Sequence, residues 1–268
     1  YRISKLKIKE IIQFFENEKI DVIHIHTPFT LGMIGILMSK IYSLPIVGTY
    51  HTLLPEFFPH ITKGKFYKVV KKLGQFPTKK FTNLVYSKLS YTIAPSKETE
   101  RVLRGYGLTN VINIPYGIDL KKFRKDIRMI KYVREKYKIP KDKNLVLFVG
   151  RISFEKKIDV LLKAVRFLKD ENVYLILVGD GPYKEKYKRM CKELEIRKMV
   201  KFTGYVKGKS LPPFYYISDI FVNPCDVETL GIVFLEAMAC GLPVIGVKSG
   251  GAMDVIRDGY NGLLCLLY

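Results

Sequence analysis

An α/β chain of two parallel-sheet units is the fold class the sequence predicts, and three observations carry that expectation. Short apolar runs such as DVIHIH (21–26) and NLVLFVG (144–150) alternate with amphipathic stretches from end to end. The alternation pauses once, at YGIDLKKF (116–123), where Gly117 breaks the pattern. At 268 residues, with 48% hydrophobic and 26% charged residues, the chain can build one large core or two smaller ones, and those values argue against wholesale disorder.

Taken in order, the first half reads as a helix over 5–19, a strand over 21–26, a helix over 30–42 and a strand over 45–50 (PIVGTY). A basic segment follows, then strand 91–95 (YTIAP), helix 97–105 and strand 110–115 (NVINIP). The second half opens on strand 144–150, helix 156–169 (KKIDVLLKAVRFLK), strand 173–179 (VYLILVG) and a charged helix over 183–195. It continues with VKFTGYV (200–206), helix 210–217, strand 219–224 (DIFVNP), helix 229–240, strand 243–247 (PVIGV) and a short helix over 251–257. The result is two successive parallel-sheet units, 1–119 and 120–268, joined near residue 120. The first opens on a helix rather than a strand, and the last residues, GLLCLLY, are an apolar run with nothing to cover it. Both units are therefore expected to be incomplete at the chain termini.

The balance of charge is strongly basic: Lys+Arg 46 against Asp+Glu 25 gives +21, spread over both halves. Residues 57–97 hold nine lysines and no acidic residue, interleaved with aromatic side chains from Phe57 to Tyr91. Such a segment can sit on an anionic membrane or bind RNA by stacking and phosphate neutralisation; a solvated basic face over an aromatic core is the plain alternative. Cys191, Cys225, Cys240 and Cys265 lie in no metal or disulfide spacing. No run of eighteen apolar residues appears, and residues 1–20 lack the pattern of a signal peptide. A cytoplasmic protein is expected, peripheral on the membrane face if the basic segment docks there.

In open parallel sheets ligands bind beyond the carboxyl ends of strands, at helix N-termini. Strand 144–150 ends in Gly150, followed by Arg151 and, at the next helix start, Lys156. Two cations beside a positive helix end suit a diphosphate, although exposed cations at an ordinary turn look the same. GDGP (179–182) closes a second strand and is weaker, since it is also a plain turn. The sharpest constellation is Glu228-Thr-Leu-Gly-Ile-Val-Phe-Leu-Glu236. Read as continuous helix, its two carboxylates stand about 12 Å apart. That exceeds the roughly 5–9.5 Å of an acid/base pair acting on one bond. It suits gripping two ends of an elongated ligand with a diphosphate between them. His24 and His26 share one face of a strand and His51 closes the next, so His51 reads as a polarising group at a cleft or as a capping histidine. No third ligand is spaced to join them, and no bound metal is expected.

These residues resemble a known family. Gly150-Arg151-Ile-Ser-Phe-Glu155-Lys156, Gly179-Asp-Gly181-Pro182, Phe202-Thr-Gly204-Tyr and Glu228 through Glu236 to Gly241-Leu-Pro243 look like the donor half of a retaining family 4 (group 1) glycosyltransferase of GT-B fold. Pro115-Tyr-Gly117-Ile-Asp119 resembles its interdomain linker, and Ser249-Gly250-Gly251 with Asn261-Gly262-Leu its closing loops. Asp21-Val-Ile-His24-Ile-His26 and Thr49-Tyr50-His51-Thr52 match the acceptor half. Cys225 stands where a serine is common, and Met253-Asp254 where Pro-Glu is common.

The resemblance implies two Rossmann-like domains facing across a cleft, acceptor side first and nucleotide-sugar side second. Arg151 and Lys156 would bind the donor diphosphate and Glu236 the ribose. Glu228, with Thr229, Leu230 and Gly231, would hold the transferred sugar. His51 and Glu228 would be the catalytic pair, and His26 and Thr52 would face the acceptor. The implied reaction moves a hexose from a UDP- or GDP-linked donor to an acceptor hydroxyl with retention, needing no cofactor. Thr49-Tyr50-His51-Thr52-Leu-Leu-Pro55-Glu56-Phe57 followed by Lys63-Gly64-Lys65 is similar to diacylglycerol glucosyltransferases, which implies a membrane lipid or glycolipid acceptor. No specific nucleic acid is expected. The competing readings are a basic membrane- or RNA-binding fragment without activity and a nucleotide-sugar epimerase or hydrolase on the same fold. The latter needs carboxylates poised for proton abstraction, which the sequence does not show.

Overall fold

Strands β1 (Ile23–Ile25), β2 (Ile46–Thr49), β3 (Tyr91–Ala94) and β4 (Val111–Asn113) lie side by side in chain order and pair in parallel. The computed structural model describes residues 8–51 and 67–267. Helices α1 (Ile8–Asn17), α2 (Thr30–Ile41), α3 (Tyr67–Tyr86) and α4 (Lys97–Gly105) alternate with these strands. Much of the basic segment is therefore helix α3; residues 57–66 of it lie outside the described residues. Ser96 starts α4 by accepting a hydrogen bond from the Thr99 amide at 3.0 Å, and Glu98 and Glu100 in the first turn match the helix dipole.

The second sheet holds β5 (Asn144–Val149), β6 (Val173–Val178), β7 (Val200–Gly204), β8 (Ile220–Asn223), β9 (Val244–Val247) and β10 (Gly262–Cys265). Its order is β10-β9-β8-β5-β6-β7, and every pairing is parallel. Helices α5 (Ile127–Tyr137), α6 (Ile158–Phe167), α7 (Lys184–Glu193), α8 (Pro212–Ile217), α9 (Ile232–Ala239) and α10 (Ala252–Val255) complete it. Central β5 is buried on both faces, which is why its sequence is a continuous apolar run. Leu145, Leu147 and Val149 enter one core with Phe214, Phe221 and Phe234, while Phe148 enters the other with Leu162, Leu175 and Tyr187.

Chain order runs outward from β5 in both directions, through β6 to β7 on one side and from β8 to β10 on the other. The strand order thus reverses between β5 and β8, and the crevice beyond their carboxyl ends is where such sheets accept ligands. Arg151 and Lys156 follow β5, and Glu228 follows β8.

Three local features differ from the sequence expectation. Helix α5 has no counterpart in it, although Asp126 caps its first turn through the Met129 amide at 3.1 Å. Within the linker, Leu120–Phe123 forms a 3-10 turn capped by Asp119. Helix α9 begins at Ile232 rather than at 229, because Gly231 takes φ +76°, a left-handed conformation that stops the helix from extending backwards. The terminal apolar run becomes edge strand β10, paired along β9.

Candidate functional site

At the switch point a cation and a carboxylate from different strand ends meet. Lys156 closes the 3-10 turn Phe154–Lys156 after β5, and its ammonium pairs with Glu228 Oε1. The side chains are only 20% and 16% exposed, so this is a half-sequestered pair rather than a surface one. Asn223, last residue of β8, donates to the same Oε1 at 3.3 Å, and Cys225 Sγ lies 3.8 Å from the ammonium. Burial alone would lower the Lys156 pKa, but Glu228 and its neighbours outweigh it and the pKa is raised. Burial, reinforced by Glu228, pushes the Cys225 thiol up to about 12, so it stays protonated. One residue on, Lys157 pairs with Asp226.

Loop 226–231 carries Glu228, Thr229, Leu230 and Gly231 over the N-terminus of α9. The 249–251 loop holds it there: the Gly251 amide donates to the Glu228 carbonyl at 2.9 Å, and the Ser249 hydroxyl to the Asp226 carbonyl at 2.9 Å. One turn into α9, Glu236 accepts a hydrogen bond from the Tyr215 hydroxyl at 2.6 Å. Burial raises the Glu236 pKa and the Tyr215 bond only partly offsets this, so the carboxylate gains from any further donor offered to it. Exposed Arg151 makes no side-chain hydrogen bond or ion pair among the described residues and stays available to an anion.

From the first unit comes a row of rings. His26 Nδ1 and His51 Nε2 are 2.8 Å apart, His51 Nδ1 meets the hydroxyl of Tyr116 from the linker, and His24 Nε2 bonds Thr49 at 2.8 Å. Desolvation raises the Tyr116 pKa to about 12, so its hydroxyl keeps its proton. A neutral imidazole has one donor and one acceptor nitrogen. Neutral His51 thus bridges Tyr116 and His26, one ring nitrogen donating and the other accepting.

Partial burial, then the neighbouring rings, lower the pKa values of His24 and His51 below 6.5. Below pH 6.5 the unfolded chain takes up protons that the folded one resists, so stability falls as the pH drops through that value and levels off below the folded pKa values. The urea midpoint is therefore expected to be lower at pH 5.5 than at pH 7.5, with the difference reduced in His51→Gln.

Hydrogen bonds join the two units at this place. The Thr229 hydroxyl donates to the His51 carbonyl at 3.2 Å, the Thr99 hydroxyl donates to the Thr229 carbonyl at 3.1 Å, and the Lys97 amide donates to Asp254. His51 is thus brought within one residue of Glu228. Thr52 lies outside the described residues, as do Pro55, Glu56, Lys63 and Lys65.

Residues 130–266 match the family described as glycosyl transferases group 1, and residues 1–122 match glycosyltransferase family 4. The chain belongs to this glycosyltransferase family. It is 31% identical to the alpha-monoglucosyldiacylglycerol synthase of Acholeplasma laidlawii over 96% of this chain and 66% of that protein. It is also 31% identical to the synthase of that name from Streptococcus pneumoniae, over 94% of this chain and 57% of the relative. The chain thus spans less than two thirds of these curated relatives. Among solved structures, Anabaena HepE in complex with UDP-glucose superposes with TM-score 0.78 at 24% identity, over 97% of this chain and 67% of that one. Sucrose-phosphate synthase from Thermosynechococcus elongatus gives 0.81 at 23%, over 97% and 64%. The likeness shows the fold, the GT-B arrangement of two parallel-sheet domains.

Within this group 1 glycosyltransferase the structure gathers Lys156, Glu228, Thr229 and His51 at one place, with Asn223 and Tyr116 beside them. Tyr215 and Tyr116 are the partners that sequence reasoning missed. Tyr215 precedes Glu236 by 21 residues and meets it between α8 and α9, a contact no spacing rule announces. Tyr116 sits inside the linker motif, whose sequence announces only a connection. Among the described residues no cluster of His, Cys, Asp and Glu could hold a metal ion, and no helix is long and apolar enough to cross a membrane.

Proposed function

We propose that the protein carrying this chain transfers a hexose from a nucleotide-diphosphate sugar to a hydroxyl of a membrane lipid or glycolipid, with retention of configuration. The observation that carries this reading is the Lys156–Glu228 pair at the β5/β8 switch point, beneath the N-terminus of α9. One group suits a phosphate and the other a sugar hydroxyl, which is the pairing of chemistries that the junction of a donor's two halves needs. On this reading residues 120–268 bind the donor and residues 1–119 face the acceptor.

Charge builds on the leaving diphosphate as the glycosidic bond breaks. Arg151, Lys156 and the positive end of α9 meet that charge. Glu236 accepts ribose hydroxyls, which supply the donors its half-buried carboxylate lacks. Glu228 and the backbone of Thr229, Leu230 and Gly231 position the hexose. His51, held by Tyr116 and His26, is brought next to them through the Thr229 hydroxyl.

A lipid acceptor is supported by the names of the relatives and by one surface. Phe29 at the N-cap of α2 and Met33, Leu37 and Ile41 along it fall four residues apart and are all exposed, and Phe29 stacks on Phe81 of basic α3. Each lysine near an anionic leaflet adds about 1 kcal/mol, so residues 57–97 would suffice even after heavy discounting.

The test is transfer of labelled hexose from UDP-glucose or GDP-mannose to diacylglycerol or glycolipid vesicles by the full protein. Product retained in the lipid phase supports the reading; hydrolysis alone, or no turnover despite nucleotide binding, counts against it. In that assay Tyr116→Phe is expected to lower kcat about tenfold while leaving nucleotide affinity unchanged, since it frees His51 to rotate without touching the donor. Equal kcat in the variant would remove Tyr116 from the mechanism.

A further inference from the structure

Lys156 and Glu228 are paired with one another. The pair is largely sequestered, Asn223 is the other group bonded to Glu228 Oε1, and Oε2 has no partner among the described residues. A nucleoside diphosphate that draws Lys156 toward its phosphates leaves Glu228 charged, poorly solvated and held by a single amide. An intact sugar nucleotide does the same to Lys156 but brings hydroxyl donors to Glu228 at the same time.

We infer that the Lys156–Glu228 pair lets the site distinguish the intact donor from the spent nucleoside diphosphate, penalising the product that takes Lys156 without replacing it. The inference rests on the donor-site reading above. It adds that the residue holding the sugar also drives product release. Before transfer, sugar hydroxyls satisfy Glu228; once the hexose leaves, the carboxylate competes with the remaining diphosphate for Lys156 and helps to expel it. The energetic logic is that of a half-buried charge deprived of its partner, which costs more than the intact pair contributes.

The prediction runs against intuition for a binding residue: Glu228→Gln should tighten binding of the bare product. The test is calorimetric titration of UDP and GDP, and of UDP-glucose and GDP-mannose, into the unaltered protein, Glu228→Gln, Lys156→Met and the double variant. Circular dichroism and urea midpoints confirm that each variant is folded. Glu228→Gln is expected to tighten the nucleoside diphosphate about fivefold and to weaken the sugar nucleotide about tenfold. In the Lys156→Met background the tightening should largely vanish, because no pair remains to be broken.

Unchanged product affinity in Glu228→Gln overturns the inference and leaves the donor site intact. Equal tightening with and without Lys156 also overturns it, since simple repulsion between Glu228 and the diphosphate then suffices. Failure of the folded, unaltered protein to bind any of the four nucleotides overturns the donor reading itself.

Discussion

Lys156→Ala is expected to weaken nucleoside diphosphate binding by about 30- to 150-fold, the equivalent of roughly 2–3 kcal/mol for a charge-assisted phosphate contact. The phosphate loses its ammonium partner, a loss larger than the relief of no longer having to break the Lys156–Glu228 pair. The same change should lower folding stability by about 1–2 kcal/mol, less than the 3–5 of a fully buried pair because both side chains keep some contact with water. Calorimetry and urea unfolding read the two effects separately. A variant that binds nucleotide as tightly as the unaltered protein would show that Lys156 serves the fold alone.

Gly179→Ala is expected to destabilise the second domain by about 3 kcal/mol or more. Gly179 has φ +143°, and a Cβ there would lie 1.8 Å from the carbonyl oxygen of Gly150. The ends of β5 and β6 touch at this point, with the Gly150 amide bonded to the Val178 carbonyl at 3.0 Å. Neither backbone can retreat without moving Arg151, so nucleotide affinity should fall along with the urea midpoint. Gly117→Ala is the control: an added methyl there meets nothing within 4 Å, and its effect should stay within about 0.5 kcal/mol. Similar midpoints for the two variants would contradict the close approach of these strand ends.

Gly179 shows how much of the site the sequence carried. GDGP was weak as a ligand signal because the same letters make a plain turn. The structure gives its first glycine a packing reason that no local pattern expresses. Strands such as 144–149 were legible because burial on both faces forces an unbroken apolar run. Helix α5 was not, since it lies directly after the linker signals, and its Asp126 cap was the available clue.

Helix α9 starts three residues later than its sequence predicts, and the spacing of about 12 Å between Glu228 and Glu236 does not apply, because Gly231 keeps the preceding loop non-helical. Lys156 and Glu228 were each singled out, yet their pairing was not. They are 72 residues apart, and only the adjacency of β5 and β8 in the sheet order brings them together.

The central claim is that the β5/β8 switch point is a nucleotide-sugar site, and nucleotide titration tests it most directly. UDP, GDP, UDP-glucose and GDP-mannose are titrated calorimetrically into the folded protein, then into Arg151→Ala and Glu236→Ala. One base should bind in the micromolar range, about 8 kcal/mol, with heat lost in both variants. Absence of binding by all four, with a native circular dichroism spectrum, would contradict it, as would binding that ignores both substitutions.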